Sequence, residues 1–303
     1  MAKNTRPRGE AFREMLANEY LNSTISIKEL SDKYHTDAAY QLKKHGVSLK
    51  GRGVQRMLSR IGCICYSWNA SEIKTEEQAY TLGFLMADGH NTGSQVGIKV
   101  KTSDGYILEK MKNCFSKEIK LQEYEDYCSF VISATTVCDN LRNLGIVEHK
   151  SHNEKHIPEM PSDLVRHFIR GYFDGDGTIF ICKSGKNRFF KCNICSSTRN
   201  ILEMFKDVLA KDGIISTINL ERRVGKPYKV CGKRDCIASM DMYRLFIRQK
   251  ASIEKLFHYL YDGATIFLKR KYDVFSDNKE LFVYIRHANT ELTEQITKGC
   301  SAV

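Results

Sequence analysis

The stretch "LVRHFIRGYFDGDGTIF", residues 164 to 180, combines an apolar helical pattern with two glycines four residues apart, Gly171 and Gly175, and an acidic ending. Glycine inside a helix costs roughly 1 kcal/mol relative to alanine, so this spacing indicates a requirement other than helix stability. A stripe of small residues lets two helix backbones approach more closely than larger side chains permit. The pattern therefore predicts that this helix packs against a second helix of the same kind.

A similar stretch, "KTEEQAYTLGFLMADGH", occupies residues 74 to 90. Thr75 followed three residues later by Gln78 is typical of a capped helix start. Gly83 and Ala87 then occupy the positions that the two glycines take in the later stretch. We therefore expect the two helices to pack through their small residues.

One aspartate follows each stripe directly, Asp88 in the first helix and Asp176 in the second. If the helices pair, both carboxylates emerge side by side at negative helix ends and repel each other unless cations bind. Mg²⁺ or Mn²⁺ suits such a site because both prefer oxygen ligands. The pattern favours a metal-assisted phosphodiester site with both aspartates as metal ligands. The alternative is that each Asp-Gly pair merely ends a helix in a turn.

The composition of the 303-residue chain narrows the class of partner. Its 47 Lys and Arg residues exceed its 36 Asp and Glu residues by 11 charges, which favours a polyanionic partner. No apolar run approaches the roughly 20 residues that span a bilayer, and no signal-peptide pattern is present, so we expect an intracellular protein without a membrane partner. Eleven scattered cysteines are typical of a reducing compartment, such as the cytoplasm or an organelle.

Residues 1 to 60 form a basic segment with 12 Lys and Arg residues against 6 Asp and Glu residues and a helical periodicity. A first helix extends to about Tyr20, Ser26 and Glu29 form a capping box for a second, and a third ends near Lys44. This order resembles the helix-turn-helix of resolvase-like and phage DNA-binding modules, although any small three-helix bundle gives a similar pattern. The expected DNA contacts of this module are Lys43, Lys44, Lys50 and Arg52.

The segment after the first motif helix shows a regular order of predicted elements. "SQVGIKVKTSD" (residues 94 to 104) alternates as a strand, with polar residues on one face. A helix over residues 105 to 115, a hairpin-like segment over residues 118 to 134 and a helix that ends at Gly145 follow.

The segment after the second motif helix shows the same order. "GTIFICKSGKNRFFKCNICSS" (residues 177 to 197) predicts a hairpin with Ser-Gly-Lys-Asn at its turn. A helix from Asn200 to Asp212, a strand group from Ile215 to Met240 and closing helices to Tyr261 follow. Each half is thus predicted as helix, two strands, helix, two strands, helix, which makes an α+β protein. The predicted domains are a helix-turn-helix-like module (1 to 60), a connector (61 to 74), two αββαββα halves (75 to 161 and 162 to 276) and a tail (277 to 303).

"LGFLMADG" (residues 82 to 89) and "IRGYFDGDG" (residues 169 to 177) resemble the two motif helices of the LAGLIDADG homing endonucleases, in the single-chain form that carries two copies. In that family the last acidic residue of each motif binds the metal, which implies this role for Asp88 and Asp176. Asp174 stands at the motif's other acidic position, which is not acidic in the first copy, so no catalytic role is assigned to it.

Two further segments support the resemblance. "LRNLGIVEHKSHNEKHIP" resembles the family's Gly-Ile, Lys and Ile-Pro segment, and "LYDGATIFLKRKYDVF" resembles its Leu-x-Arg-Lys ending. These matches imply active-site roles for Lys150 and Lys271, with Lys155 and Lys269 as the next candidates. The resemblance also implies a saddle in which two four-stranded antiparallel sheets lie along DNA. The expected DNA contacts of these sheets are Gln95, Lys99, Lys101, Lys191 and Asn193.

The resemblance implies a monomeric, metal-dependent endonuclease that hydrolyses both strands of a long, non-palindromic DNA target. Its aspartates would hold metal ions between the scissile phosphates, and its lysines would stabilise the developing charge. Two alternatives on the same fold stay open. A non-catalytic DNA-binding regulator would be free to lose the acids, whereas an RNA-splicing maturase would be able to retain them and would bind intron RNA.

Overall fold

The structure, a computed structural model, describes residues 9–22, 25–49, 66–230 and 234–282. The chain divides into two compact units, residues 1–65 and 66–303. No helix in the described part of the chain is both long and apolar enough to cross a membrane.

The described part of the first unit contains three short helices, α1 (Glu10–Asn22), α2 (Ile27–Lys33) and α3 (Ala38–Lys44). The capping box that starts α2 is confirmed, because the Glu29 N–H donates to Ser26 Oγ at 3.2 Å and the Ser26 N–H donates to the Glu29 carboxylate at 2.8 Å. The three helices pack around a small apolar core that includes Leu16, Tyr20 and Leu42. The predicted helical segment is therefore present, while its helix-turn-helix function stays a prediction.

The second unit contains two successive sets of elements. The first set is α4 (Glu76–Asp88), β1 (His90–Asn91), β2 (Val96–Lys101), α5 (Gly105–Phe115), β3 (Gln122–Glu123), β4 (Tyr127–Ile132) and α6 (Thr135–Asn143). The second set is α7 (Val165–Asp176), β5 (Gly177–Ser184), β6 (Asn187–Ser196), α8 (Arg199–Lys211), β7 (Thr217–Arg222), β8 (Pro227–Val230), β9 (Arg234–Ile237), β10 (Met242–Ile247), α9 (Lys250–Tyr261) and α10 (Lys269–Ser276).

Each set builds one four-stranded antiparallel sheet, in the order β1-β2-β4-β3 for the first and β5-β6-β10-β7 for the second. The α+β fold class with two αββαββα halves is confirmed. The second half differs by an added hairpin, in which β8 pairs with β9 between β7 and β10.

One boundary prediction in the second half was wrong. The strand group was expected to end at Met240, whereas β10 begins at Met242 and pairs with both β6 and β7 inside the sheet. The run "MYRLFI" is short and largely apolar, and such runs are ambiguous between strand and helix from periodicity alone. Pairing with two strands that are distant in sequence makes this run a strand rather than a helix.

The predicted packing of the two glycine-striped helices is confirmed. A Cβ atom at Gly83 would lie 2.0 Å from the Phe168 carbonyl oxygen, and a Cβ atom at Gly175 would lie 2.5 Å from the Ala87 Cβ. Larger side chains at these positions would force α4 and α7 apart. The intrinsic cost of glycine in a helix is therefore offset by close contact between the two helices.

Two segments expected to lie outside the halves pack on them. Trp68, from the predicted connector, lies against Phe115 with ring centroids 4.7 Å apart and is buried. Phe282, from the predicted tail, stacks on Phe190 at 5.0 Å and is also buried. The packed core of the second unit thus includes residues on both sides of the predicted halves.

Candidate active site

The paired helices end in the two predicted carboxylates. Asp88 is the last residue of α4, and Asp176 is the last residue of α7. The helix ends adjoin at Gly175, where a Cβ atom would lie 3.6 Å from the Asp88 nitrogen. Burial raises the pKa of the Asp176 carboxyl above its ordinary value, and the Asp88 carboxylate raises it further against the effect of nearby lysines. The structure therefore brings the two aspartates together into one electrostatic site.

Lys150 reaches this site from a short 3-10 turn, Lys150–His152, that follows α6. Its Nζ donates a hydrogen bond to the Ala87 carbonyl oxygen, one residue before Asp88. Burial lowers the pKa of Lys150 to about 8, although the carboxylates of Asp176 and Asp88 oppose that shift. The position implied by the resemblance thus puts an ammonium group at the C-terminal end of α4.

Lys155 lies at the same site and is the more deeply buried of the two lysines in this segment. Its side chain is 4% exposed, and Nζ donates to the Tyr172 hydroxyl at 3.4 Å. Burial lowers the pKa of Lys155, and both Asp176 and Asp88 act against that effect. The sequence favoured Lys150 over Lys155, although the segment "HKSHNEKHIP" carries both lysines.

Lys271 has a different environment. Its Nζ donates to the carbonyl oxygens of Phe173 (2.6 Å), Asp174 (2.8 Å) and Gly177 (2.6 Å), at the end of α7. All three ammonium hydrogens are thereby used, and burial lowers the pKa of Lys271 to about 8. Lys271 therefore caps the C-terminal end of α7, in addition to any role in cleavage.

Lys269, the other reserve candidate, lies away from the carboxylate pair. Its side chain is largely exposed, and Nζ pairs with Asp273 at 2.6 Å along α10. The hydrogen bond to Asp273 raises the pKa of Lys269. The described structure thus gives Lys269 a helix-surface ion pair rather than a place beside Asp88 or Asp176.

Asp174, to which no catalytic role was assigned, is a buried structural acceptor. It receives hydrogen bonds from the Tyr80 hydroxyl at 2.8 Å, the Leu268 N–H at 2.7 Å and the Tyr261 hydroxyl at 3.4 Å. Burial raises the pKa of Asp174. The carboxylate joins α4, α9 and the start of α10 at the level of the site.

A cleft of about 890 Å³ opens beside Asp88. Lys99 and Lys101 project from the exposed face of β2 into its lining, as the strand alternation predicted, and Lys99 Nζ lies 3.3 Å from the centre of the Tyr127 ring. Three other charged residues of the lining were not predicted from the sequence. These are Asp104, Asp126 and Arg270.

The other expected DNA contacts of the sheets occupy different environments. Gln95 is half-buried and donates to Ser133 Oγ at 3.0 Å. Lys191 is exposed on the second sheet, where it lines a separate depression with Arg248. The expectation of an exposed Asn193 was wrong: it lies on the same face of β6 as Lys191 by alternation, but it is fully buried, and its Nδ2 has no hydrogen-bond partner among the described residues.

The expected contacts of the N-terminal module divide into two groups. Lys43 and Lys44 are exposed in the last turn of α3, which leaves both ammonium groups accessible to solvent. Lys50 and Arg52 lie outside the described residues.

Residues 163–260 match the family described as the LAGLIDADG-like domain. This segment is similar to the LAGLIDADG-like domain over 98 of the 303 residues of the chain. The match extends from the residues just before α7 into α9, so it covers most of the predicted second half and includes Asp176, but it ends before α10 and Lys271. The first half repeats the element order of the LAGLIDADG-like domain and pairs its own glycine-striped helix with α7.

Solved structures of LAGLIDADG homing endonucleases are similar to the chain at low sequence identity. I-GzeII in complex with its DNA target is 12% identical, with a TM-score of 0.48 over 73% of this chain and 95% of that chain. I-LtrWI bound to target DNA is 14% identical, with a TM-score of 0.47 over 74% and 95%. I-SmaMI bound to uncleaved DNA in the presence of calcium ions is 12% identical, with a TM-score of 0.44 over 72% and 93%. A comparison with curated protein sequences gave no significant match.

Proposed function

We propose that this chain is a site-specific DNA endonuclease that hydrolyses both strands of a long, non-palindromic duplex with the help of a divalent metal ion. One observation carries the proposal: Asp88 and Asp176 meet at the adjoining ends of α4 and α7, beside the ammonium groups of Lys150 and Lys155. A LAGLIDADG-like domain in residues 163–260 supports it.

The residues of the site fit a divalent ion. Burial, and to a lesser extent the Asp88 carboxylate, raises the pKa of Asp176, and a hard cation would stabilise both carboxylates in their charged form. Asp88 and Asp176 would hold Mg²⁺ or Mn²⁺. When bound, such an ion supplies polarisation of the attacking water and stabilisation of the leaving oxygen.

The protein groups around the carboxylates have distinct tasks in this proposal. The ammonium groups of Lys150 and Lys155 stabilise the negative charge that develops on the phosphate, because both are held in a low-dielectric environment beside Asp176. Lys271 keeps the end of α7, and thereby Asp176, in place. Stabilisation by groups that are already oriented avoids reorganisation during the reaction.

Double-stranded DNA is the proposed substrate because exposed basic side chains lie on the strands next to the carboxylates. Lys99 and Lys101 border the cleft at Asp88, and Lys191 is exposed on the second sheet. Strands can enter the major groove, where alternate side chains reach base edges. The formal charge of +11 is consistent with a nucleic-acid partner. We propose that the protein acts as a monomer, since one chain supplies both halves of the site.

A plasmid assay tests the proposal. The purified full chain with Mg²⁺ is incubated with a plasmid that carries the DNA flanking its own gene, and in parallel with a library of randomised duplexes. Linear product from the wild type, and none from Asp88→Asn or in EDTA, is the expected result. Tight duplex binding without cleavage at any target would instead indicate a DNA-binding regulator, and preferential retention of intron RNA in a filter assay would indicate a maturase.

A further inference from the structure

Arg270 belongs to α10 of the second half, yet it lines the cleft beside Asp88 of the first half. Its Nε donates to Asp104 Oδ2 at 2.8 Å, across 166 positions of sequence. Arg270 thus forms a direct link between the end of the second half and the wall of a cleft built mainly by the first.

The ion pair between Arg270 and Asp104 is strongly asymmetric in exposure. The Asp104 side chain is 8% exposed, whereas the Arg270 side chain is 56% exposed. Within the described ranges, Asp104 is the one hydrogen-bond partner of the guanidinium, and it engages Nε alone. The two terminal nitrogens of Arg270 are therefore left to contact a ligand in the cleft.

The backbone that carries Arg270 is held firmly against the first half. The Lys269 N–H donates to the Tyr106 hydroxyl at 2.5 Å, and Lys110 Nζ donates to the Thr265 carbonyl oxygen at 2.7 Å. The neighbouring Leu268 N–H donates to the buried Asp174 carboxylate. Because this backbone segment is held in place, little reorganisation is needed for the Arg270 side chain to bind a ligand.

We propose that Arg270 binds a backbone phosphate of the DNA strand that enters the Asp88 cleft, and that Asp104 positions its guanidinium for this contact. This inference rests on the proposed function. A guanidinium offers parallel N–H donors that match the oxygens of a phosphate in a bidentate contact. Lys99 and Lys101 line the same cleft and supply positive charge there, alongside the acidic side chains of Asp88, Asp126 and Asp174.

The two halves differ at this position. Arg270 directly precedes Lys271, whereas His149 directly precedes Lys150 in the first half. The proposed phosphate contact therefore serves one of the two DNA strands more than the other. The cut made beside Asp88 should depend on Arg270 more strongly than the second cut does.

The test compares Arg270→Met, Arg270→Lys and Asp104→Asn with a control, Arg199→Met. Arg199 is an exposed arginine of α8 with one carboxylate partner, Glu203 at 2.7 Å, and it does not line the cleft. Single-turnover cleavage of a duplex labelled separately on each strand is measured under saturating protein, together with thermal unfolding of each variant.

Arg270→Met should slow one strand cut by roughly tenfold or more relative to the other, because a charge-assisted contact to the reacting strand is lost. Arg270→Lys should recover part of that loss, since it keeps the charge but not the bidentate geometry. Asp104→Asn should slow the same strand by a smaller factor. Equal wild-type rates on both strands in Arg270→Met, or an identical effect in Arg199→Met, would overturn the inference.

A second measurement separates this inference from the proposed function. Duplex binding without metal is measured at several salt concentrations, and the logarithm of the binding constant is plotted against the logarithm of the salt concentration. Arg270→Met should reduce the steepness of this plot by about 0.9, the value for one phosphate contact. If the wild type cleaves no duplex, the proposed function is contradicted. The salt dependence of binding then tests Arg270 by itself, and an unchanged slope in Arg270→Met overturns the phosphate contact. If the wild type cleaves and Arg270→Met behaves like Arg199→Met, only the Arg270 contact is overturned.

Discussion

Gly171 of α7 lies so close to the backbone of Tyr80 in α4 that a Cβ atom on it would be 2.0 Å from the Tyr80 carbonyl oxygen. Gly83 makes the reciprocal approach to the Phe168 carbonyl oxygen at the same distance. Because both neighbours are backbone atoms, neither contact has a flexible side chain that could move aside. This reciprocal contact determines how closely Asp88 and Asp176 approach at the ends of the helices.

Gly171→Ala should therefore destabilise the second unit. The added methyl group must push α4 and α7 apart, and overpacking of this kind costs about 1–3 kcal/mol, with the upper end expected where backbone is displaced. Chemical denaturation measures the effect. Gly9→Ala is the control, because a Cβ atom at Gly9 meets nothing within 4 Å. Wild-type stability in Gly171→Ala would contradict the observed helix packing.

Lys150 and Lys271 should differ in their contribution to stability when each is replaced by methionine. Lys271→Met leaves three buried carbonyl oxygens without their donor, so its thermal stability should fall well below that of Lys150→Met, which loses one such bond. Both should slow single-turnover cleavage by a factor on the order of 10². Differential scanning calorimetry and strand-resolved kinetics measure the two effects. Equal stability of both variants would show that Lys271 does not hold the end of α7.

The ion pair between Glu76 and Arg170 should make the stability of the second unit depend on pH. Burial opposes ionisation, but the Thr265 N–H and the Arg170 guanidinium outweigh it and lower the pKa of Glu76 below 4.5. A carboxyl group whose pKa is lower in the folded than in the unfolded protein stabilises the fold at any pH above its unfolded-state pKa. That stability is lost as the pH falls through the pKa of the folded state. Glu76→Gln should lose about 3 kcal/mol at neutral pH, since Arg170 is fully buried.

The measurement for Glu76 is the difference in unfolding free energy between wild type and Glu76→Gln across the acid range. That difference should be constant near neutral pH and should shrink below pH 4.5. Burial lowers the pKa of His167 to about 4, and the Glu76 carboxylate, 3.8 Å away, acts against that effect, so the difference reports Glu76 together with its influence on His167. A difference that does not change with pH would contradict the proposed ionic character of this contact.

Removal of residues 1–65, the first compact unit, should leave a folded core that binds DNA more weakly. Each lost phosphate contact lowers the log–log salt slope by about 0.9, so loss of Lys43 and Lys44 alone would lower it by nearly 2. Footprinting and salt titration of the truncated and full-length chains measure the change. An unchanged footprint and slope would show that the three helices make no DNA contact.

The sequence predicted those parts of the fold that depend on local periodicity. The helix over residues 105–115 and the hairpin with its turn at Gly185 were both located correctly, because amphipathic spacing and a glycine with positive φ are local signals. The close approach of Asp88 and Asp176 followed from the repeated small-residue stripe. β10 was missed because its pairing with β6 and β7 is not local.

The composition of the site was predicted less completely. Arg270 and Asp104 form their ion pair across 166 positions, and no periodicity links them. Asn193 was expected to be exposed because strand alternation assigns a face, but alternation does not show what covers that face. Lys155 differs from Lys150 in its hydrogen-bond partner, the Tyr172 hydroxyl rather than the Ala87 carbonyl oxygen, and neither partner is local in sequence.

Strand-resolved cleavage by Asp88→Asn and Asp176→Asn, together with their affinity for the same duplex, tests the central claim most directly. Each substitution removes one of the two proposed metal ligands and also relieves repulsion of the phosphate, so double-strand cleavage should be abolished while binding stays at least as tight as in the wild type. Wild-type cleavage rates in either single variant would contradict a site shared by the ends of α4 and α7.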